Sequence, residues 1–116
     1  MSQYKTAPRV DPRVDARIPA VLYPAAAAAA IPAETENLSA GGALCRSDAA
    51  IDVGGTVKIR LDLTDVSGAP QPVVLEAIVL RVTGAGPFLV ALHFVEVPPR
   101  IVDLLKRYII RAKGAP

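Results

Sequence analysis

The sequence predicts a mainly β domain, a six-stranded antiparallel β-barrel with one C-terminal α-helix. Three observations point there. Residues 56–64 alternate between apolar Val57, Ile59, Leu61 and Leu63 and polar Lys58, Arg60, Asp62 and Thr64, the pattern of a half-buried strand. Short apolar runs elsewhere are separated by turn formers, among them Ser67-Gly68-Ala69-Pro70 and Gly84-Ala85-Gly86-Pro87. The last segment instead places Ile101, Leu104, Leu105, Tyr108 and Ile109 at i, i+3, i+4, i+7 and i+8, the stripe of an amphipathic helix.

Each element has its own justification. Residues 1–15 are polar and proline-marked and read as a mobile arm ahead of a folded unit, 16–116. Ile18 to Tyr23 is a first strand, closed by Pro24. Ala25–Ala30 favours helix by propensity. Pro24 and Pro32 leave it less than two turns, too few to be stable alone. Gly42 to Cys45 is a short strand and Thr56 to Thr64 a longer one. Val73 to Thr83 is another, in which Glu76 and Arg81 have opposite parity, so a bulge between them lets both face water. Phe88 to Val97 returns. The helix spans 99–113, with Pro99 suited to its first turn and Gly114 to its end. Its apolar stripe is expected to cap the open end of the barrel, and its basic face suits the C-terminal dipole.

Composition narrows the function classes. At 116 residues the chain is one domain. A hydrophobic content of 52% argues against disorder, although much of it is alanine, so the core must rest on Val, Ile and Leu. A net charge of +2 is not that of a dedicated nucleic-acid binder. The aromatics Tyr4, Tyr23, Phe88, Phe94 and Tyr108 make a poor stacking platform, with both phenylalanines read as core. The cations gather at the chain ends. Lys5, Arg9, Arg13 and Arg17 face only Asp11 and Asp15, and Arg100, Lys106, Arg107, Arg111 and Lys113 face only Asp103. Both regions suit an anionic ligand or partner.

Catalysis is disfavoured. Cys45 is the sole cysteine, which excludes an internal disulfide, and it reads as a small buried side chain. His93 is the sole histidine and has no second ligand or carboxylate pair around which to build a metal or acid–base site. Nothing matches a Walker-type phosphate loop. The chain is therefore expected not to be an enzyme and to need no cofactor. Residues 18–33 are uncharged and follow arginines, as in a signal peptide. Pro19, Pro24 and Pro32 break the run, and Asp11 and Asp15 spoil the basic flank. It is also too short to span a bilayer. A cytoplasmic protein without a membrane span is expected.

Two strings carry the chemistry. Arg9-Val-Asp-Pro-Arg13-Val-Asp-Ala-Arg17 spaces three arginines four apart. On an extended segment this puts them on one side, on a helix one turn apart, and Pro8 and Pro12 favour the extended form. A guanidinium fork fits a phosphate, or the O6 and N7 acceptors of guanine. Asn37-Leu38-Ser39-Ala40-Gly41-Gly42 follows. On a strand, Asn37 and Ser39 face outward while Leu38 faces the core. Gly41 and Gly42 permit positive φ and close backbone approach to a ligand. Blander readings exist: solvated charges on an arm, an ordinary turn, or a glycosylation sequon at Asn37-Leu38-Ser39, relevant only in a secreted protein.

Arg13-x-x-x-Arg17 followed by Asn37-x-Ser39-x-x-Gly42 resembles the two-part signature of the PilZ domain family. The resemblance covers nearly the whole chain, from about Arg9 to the final helix. It implies a PilZ-like barrel that binds the bacterial second messenger cyclic di-GMP. The arginines would hold guanine and phosphate, and the Asn-x-Ser-x-x-Gly turn the other side of the ligand. It also implies a second strand, placed here from about Ala28 to Leu38. Members that bind two stacked ligands carry another arginine directly before the pair. Pro12 stands there instead, which leaves the ligand number open, with Arg9 as a substitute cation. Arg13 with Arg17 is preferred as the pair over Arg9 with Arg13, because Ile18-Pro19-Ala20-Val21 after it reads as the first strand.

The expected ligand-binding residues are Arg9, Arg13, Arg17, Asn37, Ser39, Gly41 and Gly42. Ligand would order the arm, and a downstream effector protein would read the change. A homodimer is among the arrangements the chain allows. Two alternatives remain: a PilZ-like interaction module that binds no ligand, and a small nucleic-acid-binding barrel.

Overall fold

The computed structural model describes residues 13–25 and 29–114. The strands are β1 (Val14–Asp15), β2 (Pro19–Pro24), β3 (Ile31–Leu38), β4 (Gly42–Ser47), β5 (Thr56–Thr64), β6 (Pro70–Thr83) and β7 (Phe88–Val95), followed by α1 (Pro99–Gly114). All pairings are antiparallel. The sheet runs β1-β3-β2-β5-β6-β7-β4, and a further β3–β4 pairing closes β2 to β7 into a six-stranded barrel. Closure leaves the six strands no unpaired edge to manage. β1 is extra: it pairs with the Asn37–Leu38 end of β3, while β2 pairs with the Ile31–Glu34 end.

The predicted elements appear with shifted boundaries. β5 matches its expected range, and its Val57, Ile59, Leu61 and Leu63 are all buried. β6 starts earlier than predicted, because the turn after Thr64 brings Pro70 opposite it and extends the hairpin. Inside β6 the register shifts between Val79 and Arg81, with Leu80 as the extra residue. Glu76 and Arg81 are both exposed as a result, as the parity argument required. β7 stops at Val95 because Glu96 turns to positive φ, +51°. β4 runs on to Ser47, where the Ser47 hydroxyl donates to the Ala49 carbonyl and accepts from its N–H. β3 begins at Ile31 rather than Ala28, which lies outside the described residues.

The core is one cluster. Leu22, Leu38, Ile59, Leu61, Leu63, Val79 and Val90 line the barrel, and Leu105 and Ile109 of α1 join them. Ile101, Leu104 and Tyr108 pack half-buried beside these. The predicted helical stripe thus faces the core. Each such aliphatic side chain contributes about 1.5–3 kcal/mol by leaving water. Cys45 is fully buried, and that burial pushes its thiol up to about 12. It stays protonated and acts as a small apolar filler. α1 also lies against β1, which brings the helix next to the arginine segment.

Candidate ligand-binding site

The arginine segment is an interrupted strand. Exposure alternates along it: Arg13, Asp15 and Arg17 are exposed, Val14 and Ile18 buried. The spacing of four therefore does place Arg13 and Arg17 on one face of an extended chain. Pairing with β3 breaks at Ala16–Ile18, and Thr35 fills the break. Its hydroxyl accepts from the Ile18 N–H at 2.9 Å and donates a short hydrogen bond to the Ala16 carbonyl. The Thr35 N–H donates to the Ile18 carbonyl at 2.9 Å, and the Ala16 N–H to the Glu36 carbonyl at 3.2 Å. Thr35 is wholly buried. It staples the residues on either side of Arg17 to the barrel wall.

A bulge in β3 then orients the second motif. Thr35 is opposite Cys45 and Asn37 opposite Leu44, so Glu36 is the extra residue. On a regular strand Asn37 would share the inward parity of buried Thr35. The bulge turns it outward. There Arg13 Nη1 donates to Asn37 Oδ1 at 2.9 Å, joining the two motifs. Glu36 lies beside them. Arg17 reaches Glu34 at 4.0 Å and Glu36 at 3.8 Å, and Arg46 of β4 forms a close ion pair with Glu36.

The strand registers extend this patch around the wall. Asp15, Asn37, Leu44, Ala91 and Arg81 are successive cross-strand neighbours on β1, β3, β4, β7 and β6. Leu44 and Ala91 are half-buried and alternate with the inward Ala43, Cys45, Val90 and Leu92. They make an apolar step with the Arg13–Asn37 pair at one end and the exposed Arg81 at the other. Such a step suits a flat base with phosphates at its margin.

Two expectations about the turn are corrected. Ser39 does not face outward beside Asn37. It lies past the end of β3 and is 1% exposed. Its hydroxyl accepts from the Gly41 and Gly42 N–H groups at 3.2 and 3.1 Å and donates to the Gly42 carbonyl at 3.3 Å. A hydroxyl after a strand end does better satisfying its own turn than standing in water. Gly41 and Gly42 also do not adopt positive φ, which falls at Gly54, Gly68, Gly84 and Gly86 instead. Gly42 is needed for another reason. It sits opposite His93 on β7, where a Cβ would collide with the Leu92 carbonyl oxygen. The Gly41 carbonyl accepts from the Phe94 N–H at 2.9 Å. Both glycines approach protein backbone, and through it fix the turn next to Asn37.

Arg9, with Pro8 and Pro12, lies outside the described residues. The same holds for the arm up to residue 12, whereas Val14 and Asp15, at its expected end, are paired in β1. Thr35, Glu36 and Arg46 were not anticipated. The pair Glu34 and Glu36, two apart, hinted at one acidic strand face, but only the register shows that Arg17 and Arg46 meet it. His93 is exposed. Among the described residues no cluster of His, Cys, Asp or Glu is placed to hold a metal ion, and no helix is long and apolar enough to cross a membrane.

A closed six-stranded barrel with paired arginines ahead of its first long strand, set against an Asn-x-Ser-x-x-Gly turn, defines a class of small β-domain. The chain matches the PilZ domain model over residues 7–111 and belongs to that family. No curated protein matches it. Solved structures share its fold. The Bacillus subtilis inhibitor of motility, MotI (DgrA), aligns with a TM-score of 0.81 at 20% identity, covering 93% of this chain and 52% of that one. The chain thus spans about half the length of MotI. The PilZ domain of Escherichia coli YcgR with c-di-GMP aligns at 0.75 and 15% identity, covering 93% of each. The PilZ domain of CeSA from a cellulose-synthesizing bacterium aligns at 0.59 and 23% identity, covering 88% of this chain and 95% of that one.

Proposed function

We propose that this PilZ domain is a receptor for cyclic di-GMP, with Arg13, Arg17 and Asn37 as its principal ligand contacts. The observation that carries the reading is the Arg13–Asn37 hydrogen bond, which brings the two motifs together on one outward face. The ligand is a dianion with two guanines. Arg13 and Arg17 supply planar forks for phosphate or for guanine O6 and N7. Asn37 offers both a donor and an acceptor to a base edge. Leu44 and Ala91 give the base an apolar seat. Ser39, Gly41 and Gly42 serve indirectly, by holding the turn that presents Asn37.

The reading extends to signalling. Ligand draws the segment ahead of Val14, with Arg9, over the wall, and an effector protein reads the altered surface. Because α1 lies against β1, the helix is the element best placed to relay that change. Part of the binding free energy goes into ordering.

Calorimetric titration with cyclic di-GMP tests this. Arg13→Ala and Arg17→Ala should each weaken binding by about 1–3 kcal/mol, the scale of a bidentate guanine contact. Arg9→Ala should cost less. Equal losses at all three would mean generic charge attraction and a wrong site. No heat with the wild-type chain would leave a protein-interaction module in its place.

A further inference from the structure

We infer that Arg46 is a third cation of the ligand site, and that Glu36 holds Arg46 and Arg17 until an anionic ligand takes them over. The inference rests on the receptor reading and adds residues outside both sequence motifs. Arg46 lies two residues beyond Leu44 on β4, so it projects from the same outer face as the apolar step opposite Asn37. It is therefore a cation fixed to the barrel wall, whereas Arg13 and Arg17 come from the segment laid across it.

Glu36 occupies the point where these cations converge. As the bulge residue it has no backbone register partner on β4. Its carboxylate pairs with both Arg17 and Arg46. It is also the more enclosed member: its side chain is 21% exposed, against 61% for Arg17 and 43% for Arg46. The guanidinium groups can thus swing to a ligand phosphate more readily than the carboxylate can follow. A phosphate entering here competes with Glu36 for the same donors and is repelled by it. Both effects raise the ligand concentration needed for occupancy. Glu34, 4.0 Å from Arg17 and opposite Arg46 in the strand register, adds a weaker version.

The experiment titrates the full chain with cyclic di-GMP by calorimetry, with circular dichroism to verify the fold of each variant. Glu36→Gln, which removes the competing charge and keeps the shape, should tighten binding by about five-fold, the scale of an exposed ion pair. Arg46→Gln should weaken it by about ten-fold, as for a lost charge-assisted phosphate contact. In the double variant, Glu36→Gln should tighten binding less than it does alone, because one of the released cations is gone. Glu36→Asp, which keeps the charge but shortens its reach, should fall between wild type and Glu36→Gln, and it serves if Glu36→Gln does not fold. Wild-type affinity in Arg46→Gln, or no tightening in Glu36→Gln, overturns the inference. If Arg17→Ala still weakens binding in that case, the receptor reading stands without it. If the wild-type chain binds nothing, both fall.

Discussion

The β5–β6 hairpin and the β1–β3–β4 wall belong to one barrel but are specified by different forces. In β5 every second side chain is buried, and the outer charges settle locally, with Arg60 Nε donating to Asp62 Oδ1 at 3.0 Å. Apolar burial alone fixes that register, since a slip of one residue would expose Val57, Ile59, Leu61 and Leu63 together. The β1–β3–β4 wall is broken at Ala16–Ile18, bulged at Glu36 and ended by the Ser39 turn. Buried hydroxyls and glycine contacts fix its register. The bulge is what turns Asn37 to the face that Arg13, Arg17 and Arg46 share. The hairpin carries stability, and the wall gives up regularity to present polar groups.

The largest effect should come from the hairpin, and it should leave binding untouched. Leu61→Ala removes a fully buried side chain and should cost about 3 kcal/mol of unfolding free energy. Domains of this kind have about 5–15 kcal/mol in all, so the variant should remain folded. Its dissociation constant for cyclic di-GMP, measured below its melting temperature, should equal that of wild type. A parallel loss of affinity would mean that core and site are coupled throughout the barrel.

Thr35→Val attacks the wall with almost no change of shape. It leaves the Ile18 N–H and the Ala16 carbonyl without the partner that Thr35 provides. Of the two bonds only that of the Ile18 N–H is fully buried, and one such orphaned group costs about 1–3 kcal/mol, so denaturant titration should show a loss of about 2 kcal/mol. Unlike Leu61→Ala, it should also weaken ligand binding, because the backbone on either side of Arg17 loses its anchor. Gly42→Ala should act in the same direction by overpacking, at about 1–2 kcal/mol, since its methyl meets the Leu92 carbonyl and pushes β4 off β7. Full affinity in both variants would show that the turn and the staple serve the fold alone.

This division also explains what could be read in advance. The barrel, the helix and the bulge between Glu76 and Arg81 were legible because apolar parity announces them residue by residue. Arg13, Arg17 and Asn37 were legible as a pattern of charged and amide groups. The bulge at Glu36 was not, because Glu34-Thr35-Glu36-Asn37 has no apolar alternation to show where parity breaks. Ser39 departs from its expected placement for a related reason. Its outward placement assumed that β3 continues past Leu38, whereas the strand ends there and the hydroxyl turns to its own backbone. The role of Thr35 depends on a partner 17 residues away, and no local rule points to it.

The smallest effect belongs to the tip of the hairpin and depends on pH. Asp65 Oδ1 accepts from the Ser67 hydroxyl at 2.6 Å and from the Ser67 and Ala69 N–H groups at 2.8 and 3.0 Å. These bonds, the Ser67 hydroxyl foremost, lower its carboxyl below the ordinary carboxylate value, with a smaller contribution from the charge of Arg111. The folded chain therefore holds this group ionised to lower pH than the unfolded chain does. Its contribution is complete above the unfolded value of about 3.9 and fades as pH falls through the lowered one. Asp65→Asn keeps the acceptor oxygen and removes the titration. Wild type should be slightly more stable than this variant at neutral pH, and the difference should close on acidification. The dissociation constant for cyclic di-GMP should be the same in both at neutral pH, since the turn lies on the hairpin and not on the wall. A stability gap that persists well below the carboxylate range would mean that Asp65 acts through its shape, and that charge plays no part in holding the turn.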